Sequence, residues 1–184
     1  MTEFVGAILT GGASRRMGSD KALMLVDGEP LVARVAAALE MAGASSVTAI
    51  GGDTVRIGAL GITALADTYP GEGPLGGIVQ ALADAGRDES IVVVVACDLP
   101  WLTADAVRGL LDAVTGDVDV AVACVDGHRQ PVVAAWVRSV GPQLSVAFAR
   151  GERSPLRVLD QLRVADVEMT DPSWVRDVDR PEDL

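Results

Sequence analysis

The run "IVVVVAC", Ile91 to Cys97, constrains the fold more than any other stretch of the chain. It is strongly apolar and rich in β-branched residues, so it offers no polar side to solvent. Such a strand must be covered on both faces, which makes it a central strand of a parallel sheet flanked by helices. Its surroundings agree. Phe4 to Leu9 reads as another buried strand, with shorter ones at Val47 to Ile50 and Ile62 to Leu65. Leu31, Val35, Ala38, Leu39 and Ala42 recur at helical spacing, and Gly43 follows as a stop. Ile78 to Ala85 is helical. Thr103 is placed to cap a helix that carries Val107, Leu110, Leu111 and Val114 on one side.

The pattern then changes. Asp119 to Val125 and Gln130 to Trp136 flank "DGHR", and Asp126-Gly127 is a hairpin signal, so this part is antiparallel or mixed. Ser139 to Arg150 and Pro155 to Leu162 read as helices, and Arg163 to Met169 as a last strand. The expectation is a three-layer α/β/α domain spanning residues 1–184, with a mostly parallel, mixed central sheet and no linker or repeat. Ligands bind such sheets beyond the carboxyl ends of the strands. The loops after Leu9, Leu65 and Cys97 are therefore the candidate site.

Charge and composition exclude other classes. The net charge of −11 argues against nucleic acid and against an anionic membrane as partners. No run approaches a membrane span, and "MTEFVGAILTGG" lacks the basic start of a secretory signal. The two cysteines, Cys97 and Cys124, lie in apolar runs and read as buried thiols. A cytoplasmic protein is expected. His128 is the sole histidine, so no Cys/His metal cluster can form.

Against that acidic background, "LTGGASRRMGSDK" places Gly11, Gly12, Arg15, Arg16 and Lys21 just past the first strand. Glycines let backbone N–H groups approach a phosphate, and the cations can neutralise a triphosphate. The P-loop spacing is absent, because Lys21 does not directly follow a glycine. A solvated basic loop stays open as the alternative. "GEGPLG", Gly71 to Gly76, matches a dinucleotide-binding pattern but does not follow the first strand, so it reads as a rigid loop opening the Ile78 helix. In "CDLP", Asp98 ends the most buried strand, where a carboxylate can hold Mg²⁺ or cap the following helix. Asp177 and Asp179 alternate with Val178 and read either as an acidic surface or as further carboxylates near Asp98.

"LTGGASRRMGSDK", "DTYPGEGPLGGI", "CDLP" and "RPEDL", in that order, resemble the signature of molybdenum cofactor guanylyltransferases. The resemblance runs from Val5 to the C-terminus and implies a Rossmann-like nucleotidyltransferase fold. It implies that Leu9, Thr10, Gly11 and Gly12 hold the nucleotide through the backbone. Lys21 would contact phosphates, with Arg15 and Arg16, and Asp67 the guanosine. Asp98 would bind nucleotide and Mg²⁺, with Asp179 a second metal ligand. The implied substrates are GTP and molybdopterin, or the molybdenum cofactor. Transient contact with cofactor-synthesis or acceptor proteins would be compatible with this role. Three positions depart from the family's pattern. Thr10 replaces alanine. "IGGD", Ile50 to Asp53, stands where a nucleotide-contacting asparagine is common. Asp177 and Asp179 stand where asparagines are common. A related nucleotidyltransferase using another base or acceptor, such as a cytidylyltransferase, and a non-catalytic nucleotide-binding module remain alternatives.

Overall fold

The structure is a computed structural model and describes residues 3–11, 20–86 and 90–178. The chain runs β1 (Phe4–Leu9), β2 (Leu25–Val26), β3 (Glu29–Pro30), α1 (Leu31–Ala42), β4 (Val47–Ile50), α2 (Thr54–Gly58) and β5 (Thr63–Leu65). It continues through α3 (Pro74–Asp84), β6 (Ile91–Ala96), α4 (Ala104–Ala113), β7 (Val120–Val125) and β8 (His128–Val137). Helices α5 (Gly141–Ala149) and α6 (Pro155–Leu159) precede β9 (Val164–Glu168).

Seven strands form one sheet in the order β5-β4-β1-β6-β8-β7-β9. β5, β4, β1 and β6 are parallel, β8 is antiparallel to β6 and β7, and β9 is parallel to β7. The central strand is thus β6, as its composition predicts: every residue from Ile91 to Val95 is buried. Its odd-numbered residues pack on one side with α1, α2 and α4, and Val92 and Val94 pack on the other with α3, α5 and α6. The result is a three-layer α/β/α arrangement with a mixed, mostly parallel sheet.

Two details bear on the site. After β1 the chain moves outward to β4 and β5, then returns through α3 to β6 on the other side of β1. The strand order therefore reverses between β1 and β6, and a crevice opens at their carboxyl ends. The hairpin turn at Asp126-Gly127 has φ of 51° and 73°, both positive, as a tight two-residue connection with matching strand twist requires. It leaves His128 exposed.

The sequence reading misses some elements and shifts others. α2 is too short to show a period, and the two-residue strands β2 and β3 fall below any pattern. α3 begins at Pro74, not at Ile78. Pro74 sits in its first turn, where a missing N–H costs nothing. The final stretch of the "GEGPLG" loop is therefore the helix itself.

Close packing of α1 on β1 depends on Gly6. A Cβ there would stand 2.8 Å from Leu39 Cδ1, and Leu39 is fully buried. Leu39→Ala leaves a void that Gly6 has no side chain to fill. The substitution is expected to cost about 2–5 kcal/mol. A urea melt should show a lower midpoint with an unchanged m value.

Candidate active site at the carboxyl edge of the sheet

Four neighbouring strand ends build the site. At β1, Leu9 O accepts from Cys97 N at 3.2 Å, which extends the β1–β6 pairing by a step. Thr10 N donates to Ile50 O at 3.0 Å, and Thr10 Oγ1 donates to the same carbonyl at 2.9 Å. Thr10 is buried, so its hydroxyl serves the β1–β4 junction. This gives the departure from alanine a structural use. Gly11 is the first residue beyond the strand to stand exposed.

The "IGGD" turn after β4 closes on Gly11 from one side. Gly51 has φ of 92° and Gly52 φ of 66°, in the left-handed region. A Cβ on Gly51 would lie 2.9 Å from both Gly11 Cα and Gly11 N, so any side chain there would strike backbone. Asparagine tolerates the left-handed region, but this packing excludes it. Gly51 N donates to Leu65 O at 2.8 Å, tying the turn to β5.

Beyond β5 the chain carries Asp67. Its Oδ1 accepts from Tyr69 N at 2.8 Å, and its Oδ2 faces Gly11, where a Cβ would come within 3.0 Å. The loop is anchored further along. Glu72 forms an ion pair with Arg153, whose guanidinium lies 4.1 Å over the Phe148 ring. Tyr69 tilts on the same ring at 4.8 Å.

At the end of β6 stands Asp98. The cap reading for it fails, because Thr103 accepts from Ala106 N at 3.3 Å and is itself the cap of α4. Asp98 Oδ2 accepts from Lys21 Nζ at 2.7 Å. The two side chains are 16% and 22% exposed, so this pair is better shielded than the chain's outer ion pairs. Its neighbour in sequence, Asp20, reaches the other way. Asp20 Oδ1 accepts from Ala22 N at 3.1 Å, starting a short 3₁₀ turn over Lys21–Leu23. Asp20 Oδ2 accepts from Asp53 N at 2.5 Å. Adjacent residues thus tie the end of the basic loop to β6 on one side and to the β4–α2 turn on the other.

The C-terminal segment lies against the Asp98 turn. Val178 is fully buried and its N–H donates to Asp98 O at 2.9 Å. Arg176 stacks over Trp101 at 4.0 Å. Asp177 is exposed. Of the sequence-predicted residues, Leu9, Thr10, Gly11, Lys21, Asp67 and Asp98 come together at this edge. Gly12, Arg15, Arg16 and Asp179 lie outside the described residues.

Sequence reasoning assigned no role to Asp20, Gln80 or the two IGGD glycines. Asp20 was visible within the basic motif, as a short acidic residue preceding a turn. The signal at Gln80 was a lone amide within the largely apolar run of α3.

A sheet whose strand order reverses at β1 and β6, with a Lys–Asp pair across that point, defines an α/β protein with its ligand crevice at the switch point. Comparison with known proteins makes this specific: the chain belongs to the MobA-like NTP transferase domain family, which matches residues 6–167. A protein of Rhodobacter capsulatus named molybdenum cofactor guanylyltransferase is 37% identical over 183 residues, covering 97% of this chain and 92% of its own length. One from Pelotomaculum thermopropionicum, named "Probable molybdenum cofactor guanylyltransferase", is 38% identical over 137 residues. The match there spans 74% of this chain and 64% of that protein. The crystal structure of molybdopterin-guanine dinucleotide biosynthesis protein A from Archaeoglobus fulgidus has the same fold. Its TM-score is 0.76 at 23% identity, over 98% of this chain and 94% of that one. Among the described residues no helix is long and apolar enough to cross a membrane.

Cys97, between the strand and Asp98, is not a reactive thiol. Burial pushes its pKa up to about 12, and the Asp98 carboxylate adds to this while Lys21 opposes it. The unfolded thiol ionises near about 8.5. Keeping Cys97 protonated therefore contributes stability in full below that value, and the contribution is lost as pH rises towards 12. Iodoacetamide at pH 8 is expected to label Cys97 only on unfolding, at a rate set by added urea. Labelling as fast as a free thiol peptide would contradict the burial.

Proposed function

We propose that this chain transfers a guanylyl group from GTP to the terminal phosphate of molybdopterin, or of the molybdenum cofactor, releasing pyrophosphate. The observation that carries the reading is the Lys21–Asp98 pair at 2.7 Å, set at the switch point between β1 and β6. Its relatives' names support the reaction and both substrates.

In the reaction, a terminal phosphate oxygen of the acceptor attacks the α-phosphorus of GTP. The new P–O bond forms as the bond to the bridging α–β oxygen breaks, and pyrophosphate carries away that electron pair. The attacking oxygen is already anionic, so no general base is needed. This suits a site whose sole histidine, His128, sits in the exposed hairpin. The protein's task is positioning and charge neutralisation. Lys21 acts as a catalytic cation on the phosphates, joined by Arg15 and Arg16 from the same motif. The backbone from Leu9 through Thr10 and Gly11 to Gly12 cradles the nucleotide, and Asp67, facing Gly11, contacts the guanosine.

Asp98 offers a partly exposed carboxylate at a strand end. Among the described residues no group of three or more metal-ligating side chains converges. That donor set fits Mg²⁺, which takes one or two carboxylates and fills its octahedron with phosphate oxygens and water. Asp98 would hold it, with Asp179 as a second ligand, and the ion would supply charge neutralisation on the phosphates. On this reading the protein acts in the cytoplasm and makes transient contact with cofactor-synthesis or acceptor proteins.

Lys21→Ala is expected to fold and to lose roughly 10²–10³ in turnover, as removal of one preorganised donor does elsewhere. Asp98→Asn is expected to fold and to lose most turnover, because it removes the carboxylate that would hold Mg²⁺. Pyrophosphate release with GTP, Mg²⁺ and molybdopterin is the assay. Near-wild-type rates in either folded variant would remove these residues from the reaction.

The base is tested separately. A site that hydrogen-bonds guanine can reject analogues lacking its donors by about 10⁴-fold, whereas shape alone gives roughly 10–200-fold. Turnover of GTP is expected to exceed that of ATP and CTP by the larger kind of ratio. Preference for CTP would replace the guanylyl reading with a cytidylyl one.

A further inference from the structure

Helix α3 packs an apolar face of Leu75, Ile78, Val79 and Leu82 against the sheet, and off that stripe, facing the Ala66–Thr68 segment, lies one buried amide, Gln80. Gln80 and Thr10 are the buried polar side chains of the described residues. Hydrocarbon would serve packing better at this position, since a buried amide is unfavourable unless its hydrogen bonds are made. Here they are made, and to particular partners. Gln80 Oε1 accepts from Thr68 N at 2.8 Å, and Gln80 Nε2 donates to Ala66 O at 2.9 Å. The two peptide groups held are those on either side of Asp67.

We propose that Gln80 is a positioning residue for nucleotide binding: it fixes the backbone on both sides of Asp67 and so aims that carboxylate at the nucleotide beside Gly11. The proposal rests on the reading of Asp67 as a nucleotide contact. Three features of the geometry support it. The clamp is two-point, so it resists rotation of the loop as well as displacement. Its donor and acceptor match the carbonyl and amide they face, a pairing that neither carboxylate nor hydrocarbon reproduces. It also acts from below the loop, which leaves Asp67 Oδ2 on the Gly11 side while Oδ1 is engaged by Tyr69 N.

If Gln80 works through Asp67, losing Gln80 must matter only while Asp67 is present. The test is a four-member cycle of wild type, Gln80→Met, Asp67→Ala and the double variant. Calorimetric titration with GTP and Mg²⁺ reads binding, and thermal melts establish that each protein is folded. Gln80→Met is expected to raise the Kd for GTP about tenfold, the scale of one hydrogen bond to a charged group. In the Asp67→Ala background the same change is expected to alter Kd by less than about twofold. At saturating GTP, kcat should follow wild type while KM for GTP rises. Should Gln80→Met fail to fold, Gln80→Glu keeps the acceptor for Thr68 and loses the donor to Ala66, and it enters the same cycle.

Equal effects in the two backgrounds, or no effect in either, would overturn the role of Gln80 while Asp67 stands. Wild-type GTP affinity in Asp67→Ala alone would overturn the Asp67 contact, and this inference with it. A wild-type protein that does not bind GTP would overturn the functional reading from which both follow.

Discussion

The Lys21–Asp98 contact joins the two halves of the site, and much of the edge is organised around it. β1 and β6 are neighbours in the sheet, yet the chain leaves β1 in one direction and reaches β6 from the other. Their carboxyl ends therefore diverge into separate loops unless something crosses the gap. Lys21 crosses it to Asp98, and Asp20 crosses in the opposite sense to the amide of Asp53. Two consecutive residues thus tie the ends of β4 and β6 together over the end of β1. Val178 then holds Asp98 from the far side through its backbone carbonyl.

This arrangement reconciles an acidic protein with the anionic nucleotide proposed for it. Charges separated by more than a Debye length, about 8 Å at physiological salt, are largely screened. Some of the negative charge is also paired locally. Asp119 is held by Arg163, which keeps its carboxyl below the usual range, and Asp166 is likewise held by Arg129. Arg108 pairs with Asp105 on α4. A phosphate at the switch point responds mainly to the groups within contact distance. There the motif supplies Lys21, with Arg15 and Arg16 close by in sequence.

What the sequence reveals of this follows from the length scale of each signal. β6 and α1 were legible because burial on both faces, or on one stripe, writes itself into every residue of a long element. The Asp126-Gly127 turn was legible because few residues accept two successive positive φ values. α2, β2 and β3 were not, since elements of a few residues show no period. The start of α3 was displaced by Pro74, which reads as a loop residue although it suits a first helical turn. In the site, Lys21 stood out as a cation of the basic motif and Asp98 as a carboxylate at a strand end, while Asp67 came only with the family resemblance. Asp20 did not, because its two acceptors serve backbone amides, one of them 33 residues away. The purpose of Gly51 was equally hidden: it is set by the approach of Gly11, which lies beyond the end of another strand.

Two supports hold the Asp67 loop, and they differ in kind. The Glu72–Arg153 pair is exposed by 48% and 42% at its two side chains, so solvent and salt screen it. It is a tether at the loop's far end, and its cation is also occupied with the Phe148 ring and backbone carbonyls. The Gln80 amide is buried, uncharged and immediate to residue 67. Hydrogen bonds of that kind do not weaken with ionic strength, and in a low dielectric they are costly to leave unmade. The loop can therefore slacken at Glu72 without turning Asp67 away, but it cannot shift at Ala66 or Thr68 without breaking buried bonds. Rigidity in this loop is concentrated at the residue whose orientation the nucleotide would read.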